Sequence, residues 1–117
     1  MSLLKYNYEN GKLTIYLEEE LDISSCKVIR GIIDGYIMKY QPYELVLDLS
    51  GVKFMDSSGI GMIIGRYKLV TMFGGKMSLT NVKPVVKKIL EMSGVLKLVP
   101  IEENENIGGN EFEKCIW

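Results

Sequence analysis

The sequence predicts an α/β domain in which a mixed sheet has helices packed against it. Two short segments with alternating apolar residues open the chain, which is typical of a β-hairpin. After them, helix-like and strand-like segments alternate three times, as in strands joined by helices. The chain has 117 residues, 47% of them hydrophobic, and is long enough to form one domain with its own core.

The opening hairpin is predicted from two segments and the turn between them. Apolar residues occupy every second position of residues 12–18, so one face of this strand is expected to be buried. Residues 3–8 alternate less regularly. The turn-forming sequence Glu9-Asn10-Gly11 joins the two strands.

The first helix is predicted to begin after Asp22 and to end near Pro42. Ser24 and Ser25 offer oxygens that could cap its N-terminus. Its apolar residues recur at helical spacing, at Val28, Ile29, Ile32, Ile33, Tyr36, Ile37 and Tyr40. This pattern indicates an amphipathic helix with one buried face.

A central strand is predicted over residues 44–50, because this nearly continuous apolar run is typical of a strand covered on both faces. Asp48 interrupts the run. Its carboxylate is expected to accept hydrogen bonds from backbone N–H groups of the following turn.

Four further elements complete the predicted domain. They are a helix over 57–73 that stops at Gly74-Gly75, a strand over 76–82, a helix from Pro84 to Gly94, and a last strand over 96–101. Residues 1–117 are therefore expected to form a single domain with its core at about 12–101, and residues 102–117 are expected to be a loose tail.

Composition and charge exclude several classes of function. The chain has 14 Lys and Arg against 15 Asp and Glu, and no basic block, which argues against nucleic-acid binding. No apolar run approaches the roughly 20 residues that span a bilayer, and the N-terminus lacks the apolar core of a signal peptide. We therefore expect a cytoplasmic protein that does not insert into membranes.

The absence of histidine excludes Ser-His-Asp and Cys-His nucleophile systems and histidine zinc sites. Cys26 and Cys115 are expected to be plain thiols in a reducing compartment. The sequence thus predicts no catalytic residues, no metal and no cofactor, and a monomer is the expected state.

The second predicted helix has apolar residues on two sides. One face is expected to be core and carries Ile60, Ile63, Ile64, Tyr67 and Val70. The other side continues from Ser58 into what we call the glycine–methionine strip, formed by Gly61, Met62, Gly65, Leu69 and Met72. The strip is either a docking surface or is covered by a neighbouring helix or the hairpin, and the two glycines could instead serve close packing on the sheet.

Ser57 and Ser58 lie where the strand-to-helix turn ends, directly after Asp56. One capping oxygen, from Asp56 or Ser57, is enough for a helix N-terminus, so a second hydroxyl exceeds what capping requires. Neither serine has an evident general base, and a nucleophilic role is therefore not expected. Phosphorylation by another protein is the chemistry that this position favours.

A phosphoryl group would add about −1.5 to −2 charges at pH 7. The helix N-terminus tolerates an anion, so the fold is expected to survive the modification. A partner packed on the strip would meet a dianion beside Asp56, and a cost of several kcal/mol would weaken its binding by roughly a hundredfold or more.

The run LVLDLSGVKFMDSSGIGMIIGRYK, residues 45–68, and the run GGKMSLTNVKPVVKKILEMSGVLKLV that follows resemble the sporulation-type anti-sigma factor antagonists of Gram-positive bacteria, in the STAS domain family. The resemblance extends from about residue 12 to residue 101 and is densest over 54–59. It implies a STAS-type mixed four- to five-stranded sheet with helices against it.

The resemblance also implies a function by partner switching. The unmodified antagonist binds an anti-sigma factor that is also a serine kinase, and so frees a sporulation sigma factor. The kinase phosphorylates the first serine after the aspartate, here Ser57, and a phosphatase restores the antagonist. By position, Asp56 would help to present Ser57. The partner-binding surface would comprise Asp56, Ser58, Gly59, Ile60, Gly61, Met62, Gly65 and Leu69.

Two features depart from the family pattern. Glu19 replaces the glycine of the family's Gly-Glu-Leu-Asp sequence after the second strand, and a short C-terminal end replaces a fuller last helix. Other interpretations also stay open. The domain could bind GTP or ATP or be a weak NTPase, although it lacks the P-loop sequence. It could also antagonise a general-stress anti-sigma factor.

Overall fold

The computed structural model describes residues 4–18 and 20–102. It contains a four-stranded sheet and three helices in one α/β unit. In chain order these are β1 (Lys5–Glu9), β2 (Lys12–Tyr16), α1 (Ile23–Tyr40), β3 (Glu44–Asp48), α2 (Ser57–Met72), β4 (Lys76–Thr80) and α3 (Pro84–Ser93). The predicted hairpin and the three strand–helix alternations are confirmed up to α3.

The sheet has the strand order β1-β2-β3-β4. β1 and β2 are antiparallel, whereas β2, β3 and β4 run parallel. The tight turn of the hairpin uses Asn10 and Gly11, both with positive φ, as a two-residue hairpin turn requires. Because β2, β3 and β4 are parallel, the segments that leave them emerge at one edge of the sheet.

The core lies between the sheet and the helices. In register across the parallel strands, Leu13 faces Leu45 and Leu45 faces Met77, and all three side chains are buried. α1 contributes Ile29, Ile33 and Ile37 to the same core, and the apolar stripes of α2 and α3 extend it. Each fully buried Leu or Ile side chain stabilises the fold by about 1.5–3 kcal/mol.

The edge strand β1 is held against α1 by tyrosines. The Tyr8 and Tyr40 rings stack with centroids 4.3 Å apart, and the Tyr6 and Tyr40 hydroxyls lie 2.9 Å apart. These contacts cover one side of an otherwise exposed strand.

The cap of α1 differs from the prediction. Asp22 is the N-cap residue, and its carboxylate accepts the Ser25 N–H at 3.0 Å. The Ser25 hydroxyl in turn accepts the Asp22 N–H at 3.1 Å, which completes a reciprocal capping box. The helix begins directly after Asp22, as predicted, but Asp22 and not Ser24 or Ser25 is the N-cap residue, and Ser25 completes the cap from the third helical position.

The predicted last strand over 96–101 is wrong. Residues Val95–Lys97 form a 3₁₀ turn directly after α3, and of this region only Ile101 bridges the sheet, in parallel with Leu79. Val95 and Val99 are buried four residues apart, as in a helical turn. The sheet therefore has four strands within the described residues, and the predicted loose tail beyond residue 102, with Cys115, lies outside them.

Candidate functional site

The loops that follow β2 and β3 meet at one edge of the sheet. The Leu21 N–H donates to the Phe54 carbonyl, and the Asp56 N–H donates to the Leu21 carbonyl, each at 3.4 Å. These two bonds place the N-terminus of α1 beside the N-terminus of α2. The site is therefore built by residues about 30 positions apart in the sequence.

Gly59 allows this close approach. A Cβ atom on Gly59 would lie 2.9 Å from the Met55 Cβ and 3.0 Å from the Leu21 Cβ, closer than side chains pack. Gly59 is itself buried. It supports the neighbouring surface residues from inside the fold, and its place in the partner-binding surface stays a prediction.

Asp56 caps α2 without help from either serine hydroxyl. Its carboxylate accepts the Ser58 N–H at 2.8 Å, and its carbonyl accepts the Gly59 N–H at 3.0 Å. The sequence left Asp56 and Ser57 open as the capping residue, and the structure selects Asp56.

Ser57 is the first residue of α2 and is exposed. Within residues 4–18 and 20–102, its hydroxyl makes no hydrogen bond to the protein, because the cap is already complete. Ser58 is half-buried beside it. The two serines therefore differ, and Ser57 is the more exposed of the two.

Asp48 has the structural role that the sequence predicted. Its Oδ1 accepts the Ser50 N–H at 2.9 Å, and its Oδ2 accepts from the Asn81 side-chain amide at 2.9 Å. It thereby ties the ends of β3 and β4 together, next to the loop that leads from β3 to Ser57.

The glycine–methionine strip is only partly exposed. Met62 is 4% exposed and packs in the core beside α1, so at this residue the alternative that a neighbouring helix covers the strip applies. Gly61 is exposed, whereas Gly65 and Leu69 are half-buried, and Ile60 is half-buried against the core. The neighbouring helix that covers the Met62 flank of α2 is α1.

Gly61 and Gly65 do not serve close packing within the domain. A Cβ atom added to either glycine would meet no atom within 4 Å. Each glycine costs a helix about 1 kcal/mol relative to alanine. Within the described residues, no neighbouring atom therefore requires a glycine at either position.

Arg66 is a buried residue that the sequence did not single out. It is 9% exposed, its Nε lies 2.7 Å from Asp34 Oδ1, and its Nη1 donates to the Met62 carbonyl at 3.4 Å. The Nε–H does not point at the carboxylate, so the Asp34 contact is an ion pair and not an aligned hydrogen bond. The i+4 spacing from Met62 is the sequence signal that both residues share one flank.

Burial lowers the pKa of the Arg66 guanidinium, Asp34 opposes that change, and nearby Arg30 adds to it. Burial also raises the pKa of the Cys26 thiol, as do Asp56 and Asp22. Cys26 is therefore held as an unreactive thiol behind the site.

Within the described residues, no cluster of three or more His, Cys, Asp or Glu side chains could hold a metal ion. The same part of the chain contains no helix that is both long and apolar enough to cross a bilayer.

Comparison with known proteins identifies the family. The STAS domain profile matches residues 5–106. An anti-sigma F factor antagonist of Paenibacillus polymyxa is 40% identical over 110 residues, which cover 94% of both chains. Another, from Lysinibacillus sphaericus, is 32% identical over 83 residues, or 71% of each chain.

A solved structure agrees with the assignment. The anti-sigma factor antagonist SpoIIAA in its unphosphorylated form superposes with a TM-score of 0.75 at 25% identity, over 88% of this chain and 89% of that one. The family profile, the relatives and the shared fold lead to one conclusion: this chain belongs to the STAS domain family, among its anti-sigma factor antagonists.

Proposed function

We propose that this chain binds an anti-sigma factor that is also a serine kinase, frees a sporulation sigma factor by doing so, and is switched off when the kinase phosphorylates Ser57. The observation that carries the proposal is the exposed Ser57 hydroxyl, left without a structural role because Asp56 caps the helix. The names of the two relatives, both antagonists of anti-sigma F, support the partner class.

The surface around Ser57 suits a protein partner. We call it the docking surface and define it by Ile23, Phe54, Ser57, Ser58 and Gly61. Ile23 is 74% exposed and Phe54 is 53% exposed, so two large apolar side chains face solvent beside the paired helix N-termini. Burial of these side chains against a partner would supply binding energy, and Gly61 leaves the α2 backbone open to approach.

Phosphorylation would change this surface more than it changes the fold. The N-terminal N–H groups of α2 and its dipole favour an anion by about 0.3–1 kcal/mol. A partner covering the docking surface would have to bury a dianion next to Asp56, and unpaired charges at interfaces cost several kcal/mol. The chain itself acts as a binding module, and a separate phosphatase would restore the active form.

This proposal assigns no catalytic residue to the chain. It places the protein in the cytoplasm, where a sigma factor regulator and its phosphatase act, and it takes the chain to act as a monomer.

Phosphopeptide mapping tests the proposed modification. After incubation with ATP and the anti-sigma factor kinase of the same genome, we expect one phosphoryl group, on Ser57. The Ser57→Ala variant should take up no phosphate, whereas Ser58→Ala should still be modified at Ser57. Phosphate on Ser58 in the wild-type chain, or labelling of Ser57→Ala, would contradict the assignment.

Gly61→Ala should separate stability from binding. Because the added methyl group enters open space, α2 should gain about 0.5–1 kcal/mol, seen as a higher midpoint in urea unfolding. The same methyl group would hold a partner away from the α2 backbone, so kinase affinity should fall by about tenfold, measured by titration calorimetry. A stabilised variant that binds the kinase as tightly as wild type would show that Gly61 lies outside the interface.

A further inference from the structure

A groove runs between α1 and α2 and continues from the docking surface. Its volume is about 450 Å³, which is enough for several side chains. It is lined by Ile23, Cys26, Lys27, Arg30, Ser58, Gly61, Met62, Gly65 and Arg66. Ile23, Ser58 and Gly61 belong to both surfaces, so a molecule bound to one of them is positioned to enter the other.

The groove carries positive charge that its own lining does not neutralise. Lys27 and Arg30 lie on one stripe of α1, three residues apart, and are exposed, while Arg66 enters from α2. No acidic residue is among the lining residues. Asp34 lies outside the lining and pairs with Arg66, so Lys27 and Arg30 are the groove cations that have no ion pair within the described residues. In a chain with a net charge of −1, these two exposed cations make the groove locally positive.

Arg66 is held in place but only partly satisfied. Asp34 lies 2.7 Å from its Nε without an aligned hydrogen bond, and the Met62 carbonyl accepts from Nη1 at a long 3.4 Å. Arg30 also helps to lower the pKa of Arg66, so the two cations repel each other across the groove. A bound anion would relieve that repulsion and meet a guanidinium that is 9% exposed.

The α2 wall of the groove is bare backbone at two positions. Gly61 and Gly65 lie one turn apart, and a Cβ atom on either would meet no atom within 4 Å. A segment of another protein can therefore approach α2 closely while its side chains reach Lys27 and Arg30 on the opposite wall.

We infer that this groove receives an acidic segment of the anti-sigma factor kinase, whose carboxylates pair with Lys27, Arg30 and Arg66. The inference rests on the proposed function, since the groove shares residues with the docking surface. The positive charge of the groove favours an acidic segment as its occupant. Because the groove continues from the docking surface at Ser58, the protein that covers that surface is the one that would supply the segment. The groove would then contribute specificity and association rate, while Ser57 provides the switch.

Charge reversal at the exposed cations tests the inference. Arg30→Glu and Lys27→Glu should each weaken binding of the purified kinase by about tenfold or more, mainly through slower association, and the loss should shrink at high salt. The matched control is Lys87→Glu, which makes the same charge change at an exposed position of α3 outside the groove and should bind within about twofold of wild type. Arg66 is left intact because it is buried, and thermal melting checks that each variant folds.

The outcomes separate the inference from the proposed function. If Ser57→Asp weakens binding while Arg30→Glu and Lys27→Glu bind like wild type, the groove inference is wrong and the switch stands. If wild type does not bind the kinase, both are wrong. If ATP or inorganic phosphate binds wild type but not Arg30→Glu, and kinase binding is unchanged, the groove is a small-anion site and the inference is overturned. A Glu→Lys change on the kinase that restores binding of Arg30→Glu would establish the pairing.

Discussion

Ser57→Asp should bind the anti-sigma factor kinase about a hundredfold more weakly than the wild-type chain. The substitution places a permanent carboxylate on the exposed first residue of α2, beside Asp56. A partner would have to bury that charge, and a cost of about 2.7 kcal/mol corresponds to two decades of affinity. Titration calorimetry with the purified kinase and ADP, which cannot phosphorylate the wild-type chain, measures the change directly.

Two matched variants show whether charge is the cause. Ser57→Asn has the size and shape of the aspartate without its charge, and Ser57→Ala removes the hydroxyl. Both should bind within a few-fold of wild type. If Ser57→Asn weakens binding as much as Ser57→Asp, steric exclusion and not charge controls the interface, and the proposed phosphorylation switch loses its physical basis.

The fold should be unaffected by these changes. Asp56 supplies the cap of α2, and an additional carboxylate in the first turn is favoured by the helix dipole. Urea unfolding of Ser57→Asp should therefore give a midpoint equal to or slightly above that of wild type, which excludes unfolding as the reason for lost binding.

The parts of the fold that follow from local patterns could be predicted from the sequence. Alternation marked β2, the apolar run marked β3, and Gly94 marked the end of α3. The segment after Gly94 was wrongly predicted as a strand, because the apolar residues of 96–101 fit a short strand while Val95 and Val99 also fit a helical turn. Backbone pairing with the sheet decides between a helical turn and a strand, and in this segment only Ile101 pairs with the sheet.

The residues of the candidate site also fall into two groups: those that local patterns predict and those whose burial depends on distant parts of the chain. The exposure of Ser57 and the structural role of Asp48 follow from turn and cap chemistry within a few residues, so the sequence was sufficient for them. The burial of Met62 and Arg66 depends on α1, which is about 30 residues distant in the chain. Helical spacing identifies which residues share a flank, but it does not identify the element that covers it.

The groove could not be predicted from the sequence either, because it depends on the same contact between α1 and α2. In the sequence, Lys27 and Arg30 fall on the polar side of an amphipathic helix, where charges are normally solvated. The functional significance of that side appears only when α2 lies next to it and adds Arg66 and two open glycines.

Gly51→Ala should be strongly destabilising, by about 2–3 kcal/mol. A Cβ atom on Gly51 would overlap the Glu18 Cα and lie 2.9 Å from the Leu17 carbonyl oxygen, and both of these are backbone atoms that cannot rotate away. To relieve the clash, the segment after β2 must move from the turn after β3, which would strain the bond from the Leu17 N–H to the Asp48 carbonyl. Urea unfolding monitored by circular dichroism should show a lower midpoint than wild type, and the melting temperature should fall by about 10 °C.

Gly61→Ala is the control for Gly51→Ala, because it makes the same chemical change where no atom lies within 4 Å of the new methyl group. Both substitutions reduce the freedom of the unfolded chain similarly, so that effect cancels between them. The difference between the two free energies of unfolding then reports the backbone clash alone, and we expect it to exceed about 2 kcal/mol. If the two variants unfolded at the same urea concentration, the segments that follow β2 and β3 would not touch as described, and the joint that brings the two helix N-termini together would have to be rebuilt.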